Sequence, residues 1–259
     1  MALLRCDFFS EVLEVGTSMT VLLPQAGETQ VGVDLAAPGG PPPVLYLLHG
    51  LSDDATGWQR FTSIDRYAAE AGIAVVMPQV GRSFYADEPD GHRYWTFLSE
   101  ELPGIVGSFF AVSHRREDTF VAGLSMGGYG ALKWALHQPE RFAAAASLSG
   151  ALDVAALYGE RVELFDRVFG GPPRPGDDLF ALLAAADAAA LPRLYVGCGT
   201  EDHLYDGSVR LAREATRAGC EIRTDFRPGE HEWGVWDAMI RDVLDWLPLG
   251  GPGHGPAGR

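Results

Sequence analysis

One serine of this chain stands in a setting that could make it a nucleophile. Ser125 ends an apolar run, Thr119–Leu124, and precedes a segment whose apolar residues recur at helical spacing. Gly123 and Gly127 flank it, and glycines there permit the sharp strand-to-helix turn that lifts a serine hydroxyl clear of a sheet. A turn that merely needs small residues is the alternative interpretation. A well-placed histidine and acid must therefore decide between the two.

A serine hydroxyl needs a base within hydrogen-bond reach before it can attack a carbonyl carbon, and histidine is the usual base. His231 is the best candidate, because it falls between the last predicted strand and the last predicted helix. His137 lies about 18 Å along the helix that follows Ser125, at a rise of about 1.5 Å per residue. His254 belongs to the C-terminal tail, and His203 adjoins a candidate acid. We predict that His231 is the base.

An acid that orients this histidine should lie between the serine and the histidine in the chain. Asp202 meets this requirement, because it belongs to the segment Gly199–Asp202, which comes just after the predicted strand at 194–196. Its carboxylate would accept a hydrogen bond from His231 Nδ1 and stabilise the imidazolium. Glu201 and Asp206 are the alternatives, since any acidic loop would supply one.

The tetrahedral intermediate of such a reaction needs two N–H donors for its oxyanion. We assign them to the backbone N–H groups of Met126, directly after the serine, and of Leu51, after the first buried strand. His49 beside that strand is interpreted as structural. Asp53–Asp54 is interpreted as a solvated loop, so no metal site is predicted.

These residues need a scaffold that brings the ends of several strands together. Strands and helices alternate after an edge region at 8–23, which predicts a mostly parallel sheet with helices on both faces and ligands beyond the C-terminal strand ends. The predicted strands are 44–48, 73–77, 119–124, 142–147, 194–196 and 221–226. The predicted helices are 62–71, 98–110 with a disturbance at Pro103 and Gly104, 126–136, 206–218 and 232–246.

The chain is predicted to form one domain over residues 1–248. Residues 151–190 form a small helical insertion over the C-terminal edge of the sheet, and 249–259 form a flexible Gly/Pro-rich tail. The long loop at 80–95 is polar and aromatic, as functional loops often are. For the substrate pocket we select five aromatic residues: Trp58, Phe84, Tyr85, Trp95 and Trp233.

Composition limits the possible partners and compartment. A net charge of −15 argues against nucleic acid and anionic membrane surfaces, which bind through basic patches. The sequence shows no apolar run of about 18 residues, which a membrane helix needs, and we expect no signal peptide. Cys6, Cys198 and Cys220 form no paired framework, which fits a reducing, cytoplasmic location.

Taken together, these motifs resemble the putative esterase family of the α/β-hydrolase fold, which includes esterase D (S-formylglutathione hydrolase), tributyrin-type carboxylesterases, feruloyl and acetyl-xylan esterases and the antigen 85 mycolyltransferases. The resemblance covers most of the chain and is greatest to the tributyrin-type group. The motifs that carry it are Leu48-His49-Gly50-Leu51-Ser52 with Trp58, Gly91–Trp95 leading to Ser99–Pro103, Gly123–Gly128, Gly199–Asp202 and Gly229–Trp233. It implies that Ser125, Asp202 and His231 form the triad and that Leu51 and Met126 form the oxyanion hole.

The expected function is that of a serine carboxylesterase that hydrolyses small or short-chain acyl esters through an acyl-enzyme on Ser125, without a cofactor. A thioesterase of the S-formylglutathione hydrolase type would use the same residues. An acyltransferase and a non-catalytic binding protein are the more distant alternatives. A small-molecule ester is the expected partner, and the sequence leaves a homo-oligomer open.

Overall fold

A single mixed sheet organises the part of the chain that the computed structural model describes, residues 1–25, 27, 31, 35–36 and 39–249. Its strands are β1 Ala2–Ser10, β2 Val15–Leu23, β3 Val44–Leu48, β4 Ala74–Pro78, β5 Thr119–Leu124, β6 Ala144–Leu148, β7 Arg193–Gly199 and β8 Ile222–Arg227. They lie in the order β1-β2-β4-β3-β5-β6-β7-β8. β1 and β2 pair antiparallel, β2 joins β4 antiparallel, and the other neighbouring strands are parallel. The predicted α/β-hydrolase architecture is confirmed.

Helices cover both faces of this sheet. They are α1 Gly57–Phe61, α2 Ile64–Ala71, α3 Tyr94–Thr96, α4 Leu102–Phe109, α5 Met126–His137, α6 Val154–Leu157, α7 Val162–Phe169, α8 Leu179–Ala185, α9 Tyr205–Arg217 and α10 Trp233–Trp246. Successive residues of β3 show the two layers, because side chains alternate between the faces of a strand. Leu45 and Leu47 pack with α1, α2 and α10, whereas Tyr46 and Leu48 pack with α4, α5 and the helices of the insertion.

Two local features differ from the sequence-based expectation. The short helix α1 was not predicted, and the buried Trp58 anchors it by donating its indole N–H to the Leu48 carbonyl at 3.0 Å. The helix expected at 98–110 begins at Tyr94 and passes through a π-helical turn at Phe97–Glu101 before α4. Pro103 lies just beyond that turn and lacks the N–H that a regular helix requires, so the disturbance appears on its N-terminal side.

The segment 151–190 packs against α5 and the 80–95 loop. Lys133 of α5 forms an ion pair with Asp177 at 2.7 Å, and the Tyr129 hydroxyl donates to the Asp177 carbonyl at 2.8 Å. Phe165 of α7 meets Phe84 edge to face, with ring centroids 5.0 Å apart. These contacts hold the insertion beside the helix that follows Ser125.

Two other expectations concern the tail and membranes. Of the tail expected at 249–259, only Leu249 belongs to the described residues. Among the helices that the structure describes, none has the length and apolar character that crossing a membrane requires.

Candidate active site

Ser125 occupies the turn between β5 and α5 in a strained backbone conformation. Its φ of 54° and ψ of −118° are unusual for a residue with a side chain. The surrounding backbone holds this conformation, because the Ser125 N–H donates to the Leu148 carbonyl at 2.9 Å and its carbonyl accepts from Ala151 at 3.0 Å. The turn places the side chain at the C-terminal end of the sheet, as predicted from the sequence.

The glycines around Ser125 are required by close backbone approach. A Cβ at Gly127 would lie 2.3 Å from the Leu48 carbonyl oxygen, and one at Gly123 would lie 2.3 Å from the Gly127 carbonyl oxygen. A Cβ at Gly50 would lie 2.6 Å from Leu124 Cδ1. A side chain at Gly127 would push the start of α5 away from β3, and one at Gly123 would push it away from β5.

The structure brings the serine, histidine and aspartate predicted from the sequence into one hydrogen-bonded chain. His231 Nε2 lies 3.1 Å from Ser125 Oγ, and His231 Nδ1 lies 2.8 Å from Asp202 Oδ2. With the carboxylate ionised, Nδ1 carries the proton and Nε2 is free to accept one from the serine hydroxyl. This is the geometry in which histidine can act as a general base toward serine.

Asp202 is buried and its carboxylate is well satisfied. Oδ1 accepts the Leu204 N–H at 2.8 Å, while Oδ2 faces His231. Burial alone would raise the pKa of Asp202, but the hydrogen bonds from His231 and the Leu204 N–H outweigh it and lower that pKa. Asp202 therefore stays ionised at neutral pH, as an orienting acid must. The alternative Glu201 instead accepts the Gly229 N–H at 2.5 Å.

The two residues expected to supply oxyanion donors lie beside the serine. Met126 occupies the first position of α5, where backbone N–H groups have no partner within the helix. Leu51 lines the same cavity as Ser125, and a Cβ on the preceding Gly50 would be 3.7 Å from Ser125 Cβ. The placement is compatible with an oxyanion hole formed by the two N–H groups.

His49 is held by backbone hydrogen bonds, which fits the structural role predicted for it. It is buried, its Nδ1 donates to the Gly50 carbonyl at 2.7 Å, and its Nε2 accepts the Val80 N–H at 3.2 Å. Burial lowers the pKa of His49, so the ring is neutral and joins the loop after β3 to the loop after β4.

A cavity of about 610 Å³ opens above Ser125 and His231. Its walls come from the loop after β3, the 80–95 loop, the insertion and the start of α10. They are formed by Gly50, Leu51, Ser52, Asp53, Arg82, Leu124, Ser125, Arg161, His203, His231, Glu232, Trp233 and Trp236.

The expected aromatic pocket needs correction. Of the five aromatic residues, all in the described part of the chain, only Trp233 lines this cavity. Trp58, Phe84 and Tyr85 are buried, and Tyr85 donates its hydroxyl to the His49 carbonyl at 2.9 Å. Trp95 packs against Lys133, whose Nζ lies 4.9 Å from the ring centroid. These four lie outside the lining of the cavity.

Sequence reasoning missed most of the other residues that line the cavity, among them Arg82, Arg161, His203 and Trp236. The position of Trp236 could have been found, since it lies three residues after Trp233 and so on the same side of α10. His203 packs edge to face on His231, with ring centroids 4.7 Å apart. The two arginines lie in loops, where no periodicity indicates the direction of a side chain.

Asp202, His203 and His231 are the one grouping of possible metal ligands found in the described residues, with ligand atoms within 4.8 Å of one another. Two of the three already share the hydrogen bond on which the serine depends. A cation here would compete with that bond. The arrangement therefore fits proton transfer better than metal binding.

The sheet, the strained serine turn and the serine–histidine–aspartate chain define an α/β-hydrolase-fold serine hydrolase. Residues 11–247 match the family described as Putative esterase, and the chain belongs to that family. The acetyl esterase of Caldicellulosiruptor saccharolyticus is 27% identical over 263 residues, which cover 95% of this chain and 98% of that protein.

Two solved structures from Staphylococcus aureus are each 32% identical to this chain and cover 95% of it and 98% of their own length. They are the fluorophosphonate-binding serine hydrolase FphF, with a TM-score of 0.85, and the S-formylglutathione hydrolase FrmB, with a TM-score of 0.83. The esterase assignment thus agrees with the chemistry that the site permits.

Proposed function

We propose that this protein is a carboxylesterase that hydrolyses small or short-chain acyl esters through an acyl-enzyme on Ser125. The observation that carries the proposal is the position of His231, 3.1 Å from Ser125 Oγ and 2.8 Å from Asp202 Oδ2 beside an open cavity. The similarity to an acetyl esterase supports a small acyl group.

In the first half-reaction, Ser125 Oγ attacks the ester carbonyl carbon as His231 Nε2 takes the hydroxyl proton. The negative charge that develops on the carbonyl oxygen is stabilised by the N–H groups of Leu51 and Met126. Collapse of this intermediate breaks the bond to the leaving group, which departs with the proton from His231. Asp202 holds the imidazole and stabilises its charged form.

In the second half-reaction, water replaces the alcohol. His231 Nε2 accepts a proton from the water as its oxygen attacks the acyl carbonyl carbon. The second tetrahedral intermediate releases the carboxylic acid, and the proton returns to Ser125 Oγ. No cofactor enters either step.

A series of p-nitrophenyl esters from acetate to decanoate tests the proposal. We expect turnover to be greatest for the short chains and to fall to background in Ser125→Ala. A protein that hydrolyses none of the esters, or a Ser125→Ala variant as active as the wild type, would overturn the assignment.

A thioesterase of the S-formylglutathione type is the second candidate. It is favoured by the similarity to the S-formylglutathione hydrolase FrmB over nearly the whole chain. The same three residues would serve, since only the leaving atom changes from oxygen to sulfur. Comparing kcat/KM on S-formylglutathione and on p-nitrophenyl acetate separates the two. A large excess for the thioester would move the assignment to the second candidate.

A cytoplasmic location belongs to the same proposal. Cys6, Cys198 and Cys220 are all free thiols in the structure, as is usual in a reducing compartment. Cell fractionation of the untagged full-length protein is the direct check.

A further inference from the structure

Two arginines line the cavity above Ser125 from different segments. Arg82 belongs to the 80–95 loop, and Arg161 directly precedes α7 of the insertion. Both side chains are exposed to solvent. Two positive charges therefore border the space that an ester must enter, although the chain as a whole carries a net charge of −15.

The backbone around Arg82 is held in a fixed position. Arg167 of α7 donates to the Arg82 carbonyl at 2.9 Å and forms an ion pair with Glu88. Two residues further on, Phe84 and Tyr85 both adopt left-handed backbone conformations, with φ of 48° and 51°. Such strain persists only where the surroundings enforce it.

Arg161 is fixed through the same helix. Its carbonyl accepts the Phe165 N–H at 3.0 Å, and its own N–H donates to the Tyr158 carbonyl at 3.1 Å. Phe165 in turn packs on Phe84 of the loop. The two segments that carry Arg82 and Arg161 are therefore in contact, and the backbone at each arginine is held by hydrogen bonds.

Neither guanidinium is paired with a carboxylate of the described residues. In the described part of the chain, neither Arg82 nor Arg161 forms an ion pair with a carboxylate, whereas eight other arginines do. Two acids also line the cavity: Glu232, which is exposed, and Asp53. Burial raises the pKa of Asp53, and neither of the two acids forms an ion pair with Arg82 or Arg161.

We propose that Arg82 and Arg161 select ester substrates that carry a carboxylate on the part of the molecule lying in this cavity. This inference rests on the proposed function and adds the substrate class. Guanidinium groups bind carboxylates with two parallel N–H···O bonds and stay charged at any physiological pH. The ester carbonyl would meet Ser125 while the carboxylate meets the arginines.

Two pairs of substrates test the proposal, each pair matched in size and differing in charge. On the leaving-group side, (4-acetoxyphenyl)acetate is compared with (4-acetoxyphenyl)acetamide, because the methylene group keeps the two phenol leaving groups similar in reactivity and the amide adds no second ester. On the acyl side, mono-p-nitrophenyl adipate is compared with p-nitrophenyl hexanoate. The readout is the ratio of kcat/KM for the anionic ester to kcat/KM for its neutral partner, measured in the full-length protein.

We expect the wild-type ratio to exceed one for at least one pair, which also identifies the side that carries the carboxylate. Arg82→Gln and Arg161→Gln should each lower that ratio by about fivefold, as expected for a partly exposed charge pair, mainly through KM. Arg82→Lys should keep part of the preference. Arg213→Gln, an exposed arginine on α9 that does not line the cavity, should keep all of it.

A wild-type ratio of one or less on both pairs would overturn the proposal, as would a preference that survives in both glutamine variants. Melting temperatures of the variants separate a folding defect from lost selectivity. Hydrolysis of the neutral esters by the wild type reports the proposed function separately, so esterase activity without charge selectivity would refute only this inference.

Discussion

Asp202 is the carboxylate on which the proposed base depends, and its substitution gives the first prediction. Asp202→Asn cannot stabilise a charged imidazole and favours the wrong tautomer, so we expect kcat to fall by about a thousandfold or more. Activity on p-nitrophenyl acetate is the measurement. Asp206→Asn is the matched control, because this nearby acid is exposed and the ring nitrogens of His231 are hydrogen-bonded to Asp202 and Ser125 instead.

That control also decides between the acids that the sequence left open. A large loss in Asp206→Asn together with a mild effect of Asp202→Asn would show that the orienting acid is misassigned. Glu201 is a weaker alternative, since its carboxylate is occupied by the Gly229 N–H.

The second prediction concerns pH. Hydrogen bonds from His231 and Leu204 outweigh the effect of burial and lower the pKa of Asp202, so protons added between pH 8 and pH 5 do not go to this carboxylate. A loss of activity in that range would therefore not come from Asp202, and a free histidine side chain loses its proton at about pH 6.5. We expect kcat/KM to fall as the pH is lowered through that region. A profile that stays flat from pH 8 to pH 5 would contradict histidine as the base.

The positions of some site residues could be predicted from the sequence, and those of others could not. The site could be predicted from chain order, because each of its three residues, Ser125, Asp202 and His231, follows a strand of a parallel sheet. The ends of such strands meet at one edge of the sheet. The prediction that Phe84 and Tyr85 line the pocket was wrong, because both adopt left-handed backbone conformations that their residue types do not indicate. Those turns bury the two rings and leave Arg82 facing the cavity.

At the scale of elements, the packing of α5 against β3 gives the third prediction. A methyl group at Gly127 would meet the Leu48 and His49 carbonyl oxygens at 2.3 and 2.7 Å, and backbone atoms cannot move aside cheaply. We expect Gly127→Ala to lower the free energy of unfolding by about 1–3 kcal/mol and to reduce activity by displacing Ser125. Urea denaturation and ester hydrolysis measure the two effects.

Gly234→Ala is the matched control for this prediction. Gly234 lies in α10, and no atom of the described residues beyond its own helix backbone comes within 4 Å of the point that an added methyl group would occupy. Alanine there should therefore raise the free energy of unfolding by about 0.4–1 kcal/mol. Equal stabilities for the two variants would show that the close approach of α5 to β3 is unimportant.

Elements were predictable where a pattern was long and continuous. The strand at 44–48 is entirely apolar and matches β3 residue for residue. Helix α1 spans only five residues, too few to show periodicity, and its position depends on the tertiary contact of Trp58. Pro103 did signal a disturbance in the next helix, but the residue types do not indicate that it takes the form of a π-helical turn at Phe97–Glu101.

At the scale of the whole molecule, one of the contacts between the insertion and α5 involves the only lysine in the sequence. Lys133 is buried, lies 2.7 Å from Asp177 and has the ring centroid of Trp95 at 4.9 Å. Burial lowers the pKa of Lys133 although the Asp177 carboxylate opposes the shift. Removal of that carboxylate would leave a buried ammonium group without its ionic partner.

The fourth prediction follows from this contact. We expect Asp177→Asn to lower the free energy of unfolding by about 2 kcal/mol, less than for a fully buried pair because Asp177 is partly exposed. Glu163→Gln is the control, since this exposed acid of the insertion makes no ion pair with the described residues. Similar unfolding midpoints for both variants in urea would refute the role assigned to the pair.

The central claim is that Ser125 is the nucleophile, and covalent labelling tests it most directly. Intact-mass spectrometry after treatment with a fluorophosphonate should show one adduct per chain, on the peptide that contains Ser125. Ser125→Ala should show none, whereas Ser52→Ala, which changes another serine lining the same cavity, should keep the adduct. An unlabelled wild type, or an adduct that persists in Ser125→Ala, would contradict the account.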